Sequence, residues 1–294
     1  MLVRINSENA VKLGKKLGLI GLKRVLILEE YDPQFIAIKL LSKISDVELV
    51  SILSLANALV SYKLLSRGED YWMEFAKYFV RNPPKDLYSL PEIMLDFMKN
   101  SNGNKLFIEK KYQRLKILRD SGFLMKLKEN FNYYINDLNM LRFHLAMNMN
   151  TDANSKTIVF SIKMLYYGFR ASTGVVIPLP MNIPIPIDFR IATMSYITNI
   201  IDTDHEKKSL NEIAEIIMRN YKNAQEAWNI VAHTSQIPPL HIDSIIWPLL
   251  SIARENNYNQ QHTLSSSVKF FLNIWKDLDK ETLLDILITM FKRL

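Results

Sequence analysis

The sequence predicts an all-α protein, and three observations carry that prediction. Apolar residues recur at intervals of three and four through most of the chain, the spacing of helices that bury one face. Glycine is scarce, with eight in 294 residues. The one stretch that departs from the helical period, 174–187, is rich in proline, which a central strand does not tolerate.

From the N-terminus, the periodicity predicts helices over 8–18 and 22–29. The next, 33–43, begins where Asp32 is an N-cap by type and Pro33 takes the first helical position. A long helix is predicted over 45–66 and another over 69–80, the latter stopped by Asn82-Pro83-Pro84. Helix 90–98 starts behind Ser89, with Pro91 in its first turn. A polar loop at 100–104 precedes helices 106–119, 121–132 and 135–148, and a second loop at 148–155 leads to helix 155–170. Residues 174–187, GVVIPLPMNIPIPI, hold four prolines; each fixes φ and removes an N–H, so an extended, stiff hairpin is predicted, which also suits a plain rigid surface loop. Helices 189–201, 209–218, 221–235, 240–255, 264–275 and 280–292 complete the chain, with no internal repeat.

The chain is long enough for one large domain or two small ones with substantial cores. Apolar residues at 48% and charged residues at 23% are an ordinary globular balance, and no run of eighteen apolar residues predicts a membrane span. The first eighteen residues lack the features of a signal peptide. Cysteine is absent, which excludes disulfides and thiolate metal sites, and the five histidines form no HExxH-like pair. The net charge of +7 and pI near 9.3 favour polyanionic partners, nucleic acid first and anionic membrane surfaces second.

Three places carry candidate chemistry. In KTIVFSIKMLYYGF (156–169), Lys156, Phe160 and Lys163 share one helical face, with Asn154 or Ser155 as N-cap and Lys156 in the first turn. A helix N-terminus and burial both disfavour an ammonium, and a neutral amine is what a Schiff-base nucleophile needs. By spacing alone, a solvated lysine at a helix start is the commoner meaning. In DFRIATMSYITNII (188–201), Asp188 is an N-cap by type and place; it reads as an ordinary cap and as a fixed anion facing developing positive charge, and the two roles are compatible. In IPPLHIDSIIWPLL (237–250), Asp243 and Trp247 lie one turn apart, suited to stacking and hydrogen-bonding a base, or to a core indole beside a surface acid.

Together these blocks resemble the archaeal GO glycosylase family, a divergent branch of the helix-hairpin-helix DNA glycosylases. The resemblance rests on LANALVSYKLLSRGEDYWMEFAKYF (55–79), on KTIVFSIKMLYYGFR with IPIPIDFRIA (156–192), on AWNIVAHTSQIPPLHIDSIIW (227–247), and on the short DPQF (32–35). It spans roughly 20–250, aligns loosely over 101–154, and places Pro248 unusually beside Trp247.

The resemblance implies one glycosylase unit over 1–294 made of two packed helical subdomains of helix-hairpin-helix type, with the active-site cleft between them. It further implies a catalytic segment at 156–201 and a C-terminal extension, 251–294, of unassigned role. Its implied activity is removal of 8-oxoguanine from DNA followed by β-elimination. Lys156 falls on the nucleophile and Asp188 on the catalytic carboxylate. Phe160 and Trp247 fall on the aromatics that hold the base, and Gln34, Trp72, Lys163 and Asp243 on polar groups around it. The hairpin corresponds to a phosphate-binding element where a monovalent cation can sit; no other cofactor and no catalytic metal is expected. Lys105, Lys110, Lys111 and Arg114, in and beside the basic run IEKKYQRLKILRD, are candidate phosphate contacts. The expected partner is single- or double-stranded DNA carrying 8-oxoguanine, bound by a cytoplasmic, nucleoid-associated monomer of a prokaryote with no membrane role. Competing readings are a glycosylase for another damaged base and a basic helical module that binds DNA without chemistry.

Overall fold

The computed structural model describes residues 3–204 and 208–294. Along the chain, α1 (Ser7–Gly18), α2 (Gly21–Glu29), α3 (Pro33–Leu41), α4 (Val47–Val60), α5 (Gly68–Arg81), α6 (Leu90–Asn100) and α7 (Ile108–Asp120) are followed by α8 (Phe123–Glu129), α9 (Phe131–Asn136), α10 (Leu138–Asn148) and α11 (Lys156–Thr173). After the proline stretch come α12 (Phe189–Ile197), α13 (Leu210–Arg219), α14 (Tyr221–Ser235), α15 (Pro239–Glu255), α16 (Gln260–Ile274) and α17 (Lys280–Met290). The all-α expectation holds, and beside the helices lies one small antiparallel ribbon, β1 (Val3–Ile5) against β2 (Ile201–Thr203), with Arg4 opposite Asp202. Among the described residues no helix is long and apolar enough to cross a membrane.

The chain divides into two compact units. The first comprises the described part of Met1–Glu29 together with Leu179–Leu294. Its core gathers Leu13, Trp228, Ile213, Ile246 and Phe271. Within it α1 packs against α14 so closely that a Cβ on Gly14 would lie 2.5 Å from Thr234 Cβ. Trp228 donates its buried indole N–H to Ser195 Oγ at 2.8 Å, which ties α14 to α12, the helix that Asp188 caps.

The second unit, Glu30–Pro178, is built around α4. Residues 49–60 of that helix are all buried, an all-round apolar helix at the centre of its unit. It packs against α11, and Gly168 permits the approach: a Cβ there would come within 2.6 Å of Ser51 Cα.

Three departures from the sequence expectation have a visible physical cause, tertiary in the first two and a local cap in the third. The helix predicted over 45–66 stops at Val60. Asn104 donates to the Val60 carbonyl at 3.2 Å and Arg114 to that of Leu59 at 3.3 Å, so distant side chains satisfy the last turn. The helix predicted over 189–201 stops at Ile197, whose carbonyl accepts from Arg293 N, and Ile201–Thr203 pairs with the N-terminal strand instead. The segment predicted as two helices over 121–148 is three, the last started by Asp137, which accepts from Met140 N at 2.9 Å.

Candidate active site

Ser155 is the N-cap residue of α11; its backbone is extended and its side chain makes no capping bond. Lys156 therefore stands at the first helical position. The sequence reading expects burial here, and the structure corrects it: Lys156 is exposed. Among the described residues its Nζ has no ion pair or hydrogen bond. Along the same face exposure falls steadily, with Phe160 half-buried and Lys163 1% exposed. The stripe read from spacing thus runs from solvent into the unit's interior.

Around its inner end the second unit gathers the other candidates. Trp72, on α5, meets Phe160 edge to face with ring centroids 6.1 Å apart. Gln34 and Trp72 are buried, and α3, which carries Gln34, packs on both α5 and α11. Lys163 holds its ammonium over the Tyr167 ring at 5.4 Å. The Tyr167 hydroxyl donates to Asp32 Oδ2 at 3.1 Å, while Asp32 Oδ1 caps α3 by accepting from Gln34 N at 2.9 Å. The DPQF segment is therefore tied to α11 through Asp32.

Of the four basic residues expected to face phosphates, Lys105 and Lys110 are exposed. Lys111 is corrected: it is fully buried, its ammonium donates to Asn104 Oδ1, and it lies over the Tyr62 ring at 4.8 Å. Burial pushes the Lys111 amine down to about 8. Asn104 in turn donates to the Tyr71 hydroxyl at 2.9 Å, and burial raises that phenol. Arg114 is half-buried and turned inward, donating to Thr157 Oγ1 at 3.1 Å as well as to Leu59. It braces the first turn of α11. The basic run on α7 is thus partly a structural buttress, and its periodicity alone does not separate inward from outward cations.

The first unit holds the remaining candidates. Asp188 caps α12 as expected: its Oδ1 accepts from Arg190 N and Ile191 N, both at 2.9 Å. Its second carboxylate oxygen has no hydrogen-bond partner among the described residues. Before it, the proline stretch turns at 180–183, where Ile183 N donates to Pro180 O at 3.3 Å, and residues 183–187 are buried. The arm at 173–176 is exposed. On α15, Asp243 and Trp247 are half-buried, and the Trp247 indole N–H is buried without an acceptor among the described residues. The helix continues through Pro248, which lacks the N–H that would bond the Ser244 carbonyl. α12 packs on α15, which joins the Asp188 and Trp247 helices in one unit.

Sequence reasoning missed a buried group in the first unit. His241 and Glu29 are fully buried, with Nδ1 and Oε1 2.7 Å apart, and Ser244 Oγ donates to the same oxygen at 3.2 Å. The i, i+3 spacing of His241 and Ser244 was visible, but their partner on α2 was not.

This helical architecture matches a solved structure, the 8-oxoguanine DNA glycosylase of Pyrobaculum aerophilum complexed with 8-oxoguanosine, with a TM-score of 0.70 and 31% identity over 82% of this chain and 88% of that one. The fold is accordingly that of a helical DNA glycosylase. Among curated relatives, the N-glycosylase/DNA lyase of Methanopyrus kandleri is 39% identical over 231 residues, 78% of this chain and 84% of its own. That of Thermococcus kodakarensis is 36% identical over 253 residues, 85% and 87% of the two chains. The family profile described as AGOG, N-glycosylase/DNA lyase, matches residues 14–280, and the chain belongs to this family. The match reaches past residue 250 and takes in α16.

Proposed function

We propose that this N-glycosylase/DNA lyase removes 8-oxoguanine from single- or double-stranded DNA and then cleaves the strand, with Lys156 as nucleophile and Asp188 as the stabilising carboxylate. The observation that carries the assignment is the state of Lys156: an exposed amine at a helix N-terminus, with no ion pair among the described residues, at the head of a stripe that leads to Phe160 and buried Lys163.

The chemistry follows from these groups. As the bond between base and sugar breaks, positive charge grows on the sugar, and the free oxygen of Asp188 supplies the opposing charge while its partner oxygen stays on the α12 N–H groups. The Lys156 amine bonds to C1′, the base leaves with the bonding pair, and ring opening gives an imine. The imine acidifies the C2′ proton; its loss expels the phosphate at C3′. Phe160 and Trp247 stack on the extruded base, which offsets the few kcal/mol of unstacking. Gln34, Trp72, Lys163 and Asp243 read its polar edge. 8-Oxoguanine differs from guanine in having an N7–H donor and a C8 oxygen, so the Gln34 side-chain carbonyl is assigned to the former and the Trp72 indole N–H to a carbonyl of the base. A monovalent cation, if held at the proline hairpin, would supply positive charge toward a phosphate.

Borohydride trapping tests the reading. Wild-type enzyme with an 8-oxoguanine duplex should give a covalent adduct, and Lys156→Gln should give none while still binding the lesion. An adduct of undiminished yield with Lys156→Gln would reject Lys156 and point to another amine, Lys163 first.

A further inference from the structure

Residues 179–187 deliver the chain to Asp188, yet they are poor in donors, because Pro180, Pro184 and Pro186 have no N–H. A strand ladder is closed to such a segment, and its remaining buried backbone groups need other partners. Two buried side chains supply them. His241, fully buried on α15, accepts the Leu179 N–H at Nε2 across 3.2 Å. Gln225, buried on α14, donates to the Ile185 carbonyl at 3.3 Å. Because Nε2 accepts, the ring proton belongs on Nδ1, where it faces Glu29 Oε1 at 2.7 Å.

Burying a carboxylate and an imidazole is a poor way to gain stability, since well-packed apolar side chains of similar volume do as well or better. What a satisfied polar network adds is direction: its partners fit in one arrangement only. Here that arrangement couples the segment ending in Asp188 to the first turn of α15, the helix that presents Asp243 and Trp247 further along.

We propose that His241, with its tautomer set by Glu29, and Gln225 are positioning residues for base excision, a two-point clamp that holds Asp188 in register with Trp247. The proposal rests on the roles given above to Asp188 and Trp247. It assigns no chemistry to His241 itself.

The test is a KM-against-kcat split with a structural readout beside it. His241→Phe combined with Glu29→Leu removes the clamp without leaving a carboxylate buried alone. Under single-turnover conditions at saturating enzyme, excision from an 8-oxoguanine duplex should fall about tenfold or more, the scale of a misplaced reacting group. Affinity for the same duplex should stay within about threefold, and the Leu179 amide should exchange faster with solvent. Gln225→Leu, a milder change, should slow excision with the same preserved affinity. His241→Gln, whose side-chain oxygen can accept where Nε2 does, should recover Leu179 protection and most of the rate. An unchanged excision rate in both clamp variants, or rate and affinity falling in proportion, would overturn the proposal, as would loss of rate with Leu179 protection intact. Wild-type enzyme that leaves 8-oxoguanine in place would sink the functional reading instead, and the exchange measurement would then decide the clamp alone.

Discussion

Replacing Asp188 by asparagine separates its observed capping role from the catalytic role proposed for it. The carboxylate caps α12 with one oxygen, which accepts two backbone N–H groups at 2.9 Å each. An amide oxygen accepts the same bonds, and asparagine and aspartate are close to equal as N-caps. What asparagine gives up in folding is the charge–dipole attraction at the helix start, about 0.3–1 kcal/mol. In a chain of this size that moves the thermal midpoint by only a few degrees, on the order of 2–4 °C per kcal/mol. Excision has more at stake. Losing one preorganised electrostatic stabiliser slows a reaction about 10²–10³-fold, or roughly 2.7–4 kcal/mol of barrier. Asp188→Ala, by contrast, abandons both N–H groups and should cost about 1 kcal/mol in cap alone. The assay is single-turnover release of 8-oxoguanine from a labelled duplex, set against the thermal midpoint of each variant. Asp188→Asn should melt near wild type and excise orders of magnitude more slowly. An Asn variant that excises within about threefold of wild type would leave only the capping role. A rate loss that tracks the midpoint across Asn and Ala would mean the carboxylate acts through the fold.

Trp247→Ala should weaken lesion-duplex binding by roughly 1–3 kcal/mol, the worth of one base–aromatic stack, with little change on undamaged DNA; equal losses on both would make the indole a packing residue. Neutralising Lys105 and Lys110 together should lower the slope of log affinity against log salt by roughly 0.9 for each phosphate that the protein no longer neutralises, measured by titration at several salt concentrations. Lys111→Met should leave that slope alone, because Lys111 is buried. Its signature lies in stability instead. With the folded-state amine lowered to about 8 from its ordinary value of 10.5, the unfolded chain binds more protons between those limits. Stability should therefore gain a rising contribution from pH 8 to 10.5 that Lys111→Met lacks, read by denaturant titration across that window; identical pH profiles would place the Lys111 amine in water.

Much of the proposed catalytic layout is legible in the sequence alone. The spacing of Lys156, Phe160 and Lys163 determines a helical stripe, because a helix buries one face whatever it packs against. Asp188 is legible as a cap because a carboxylate ahead of an apolar period is a local signal, and the four prolines exclude helix and central strand by covalent geometry alone. Local chemistry leaves other questions open. A short periodic run of cations does not say which ones turn inward, so Lys111 and Arg114 read as phosphate contacts although folding sets Asn104, Tyr62 and Thr157 beside them. The end of α4 at Val60 and the β1–β2 ribbon depend on partners more than 40 residues away, and residue spacing records nothing about a neighbour brought close only by folding. The same reason hides the union of Glu29 and His241, separated by 212 positions. Sequence determined the helical stripe and the cap on which the proposed chemistry rests; the tertiary structure decided which of those side chains are exposed and which are braced, because exposure and bracing depend on neighbours that only folding brings close.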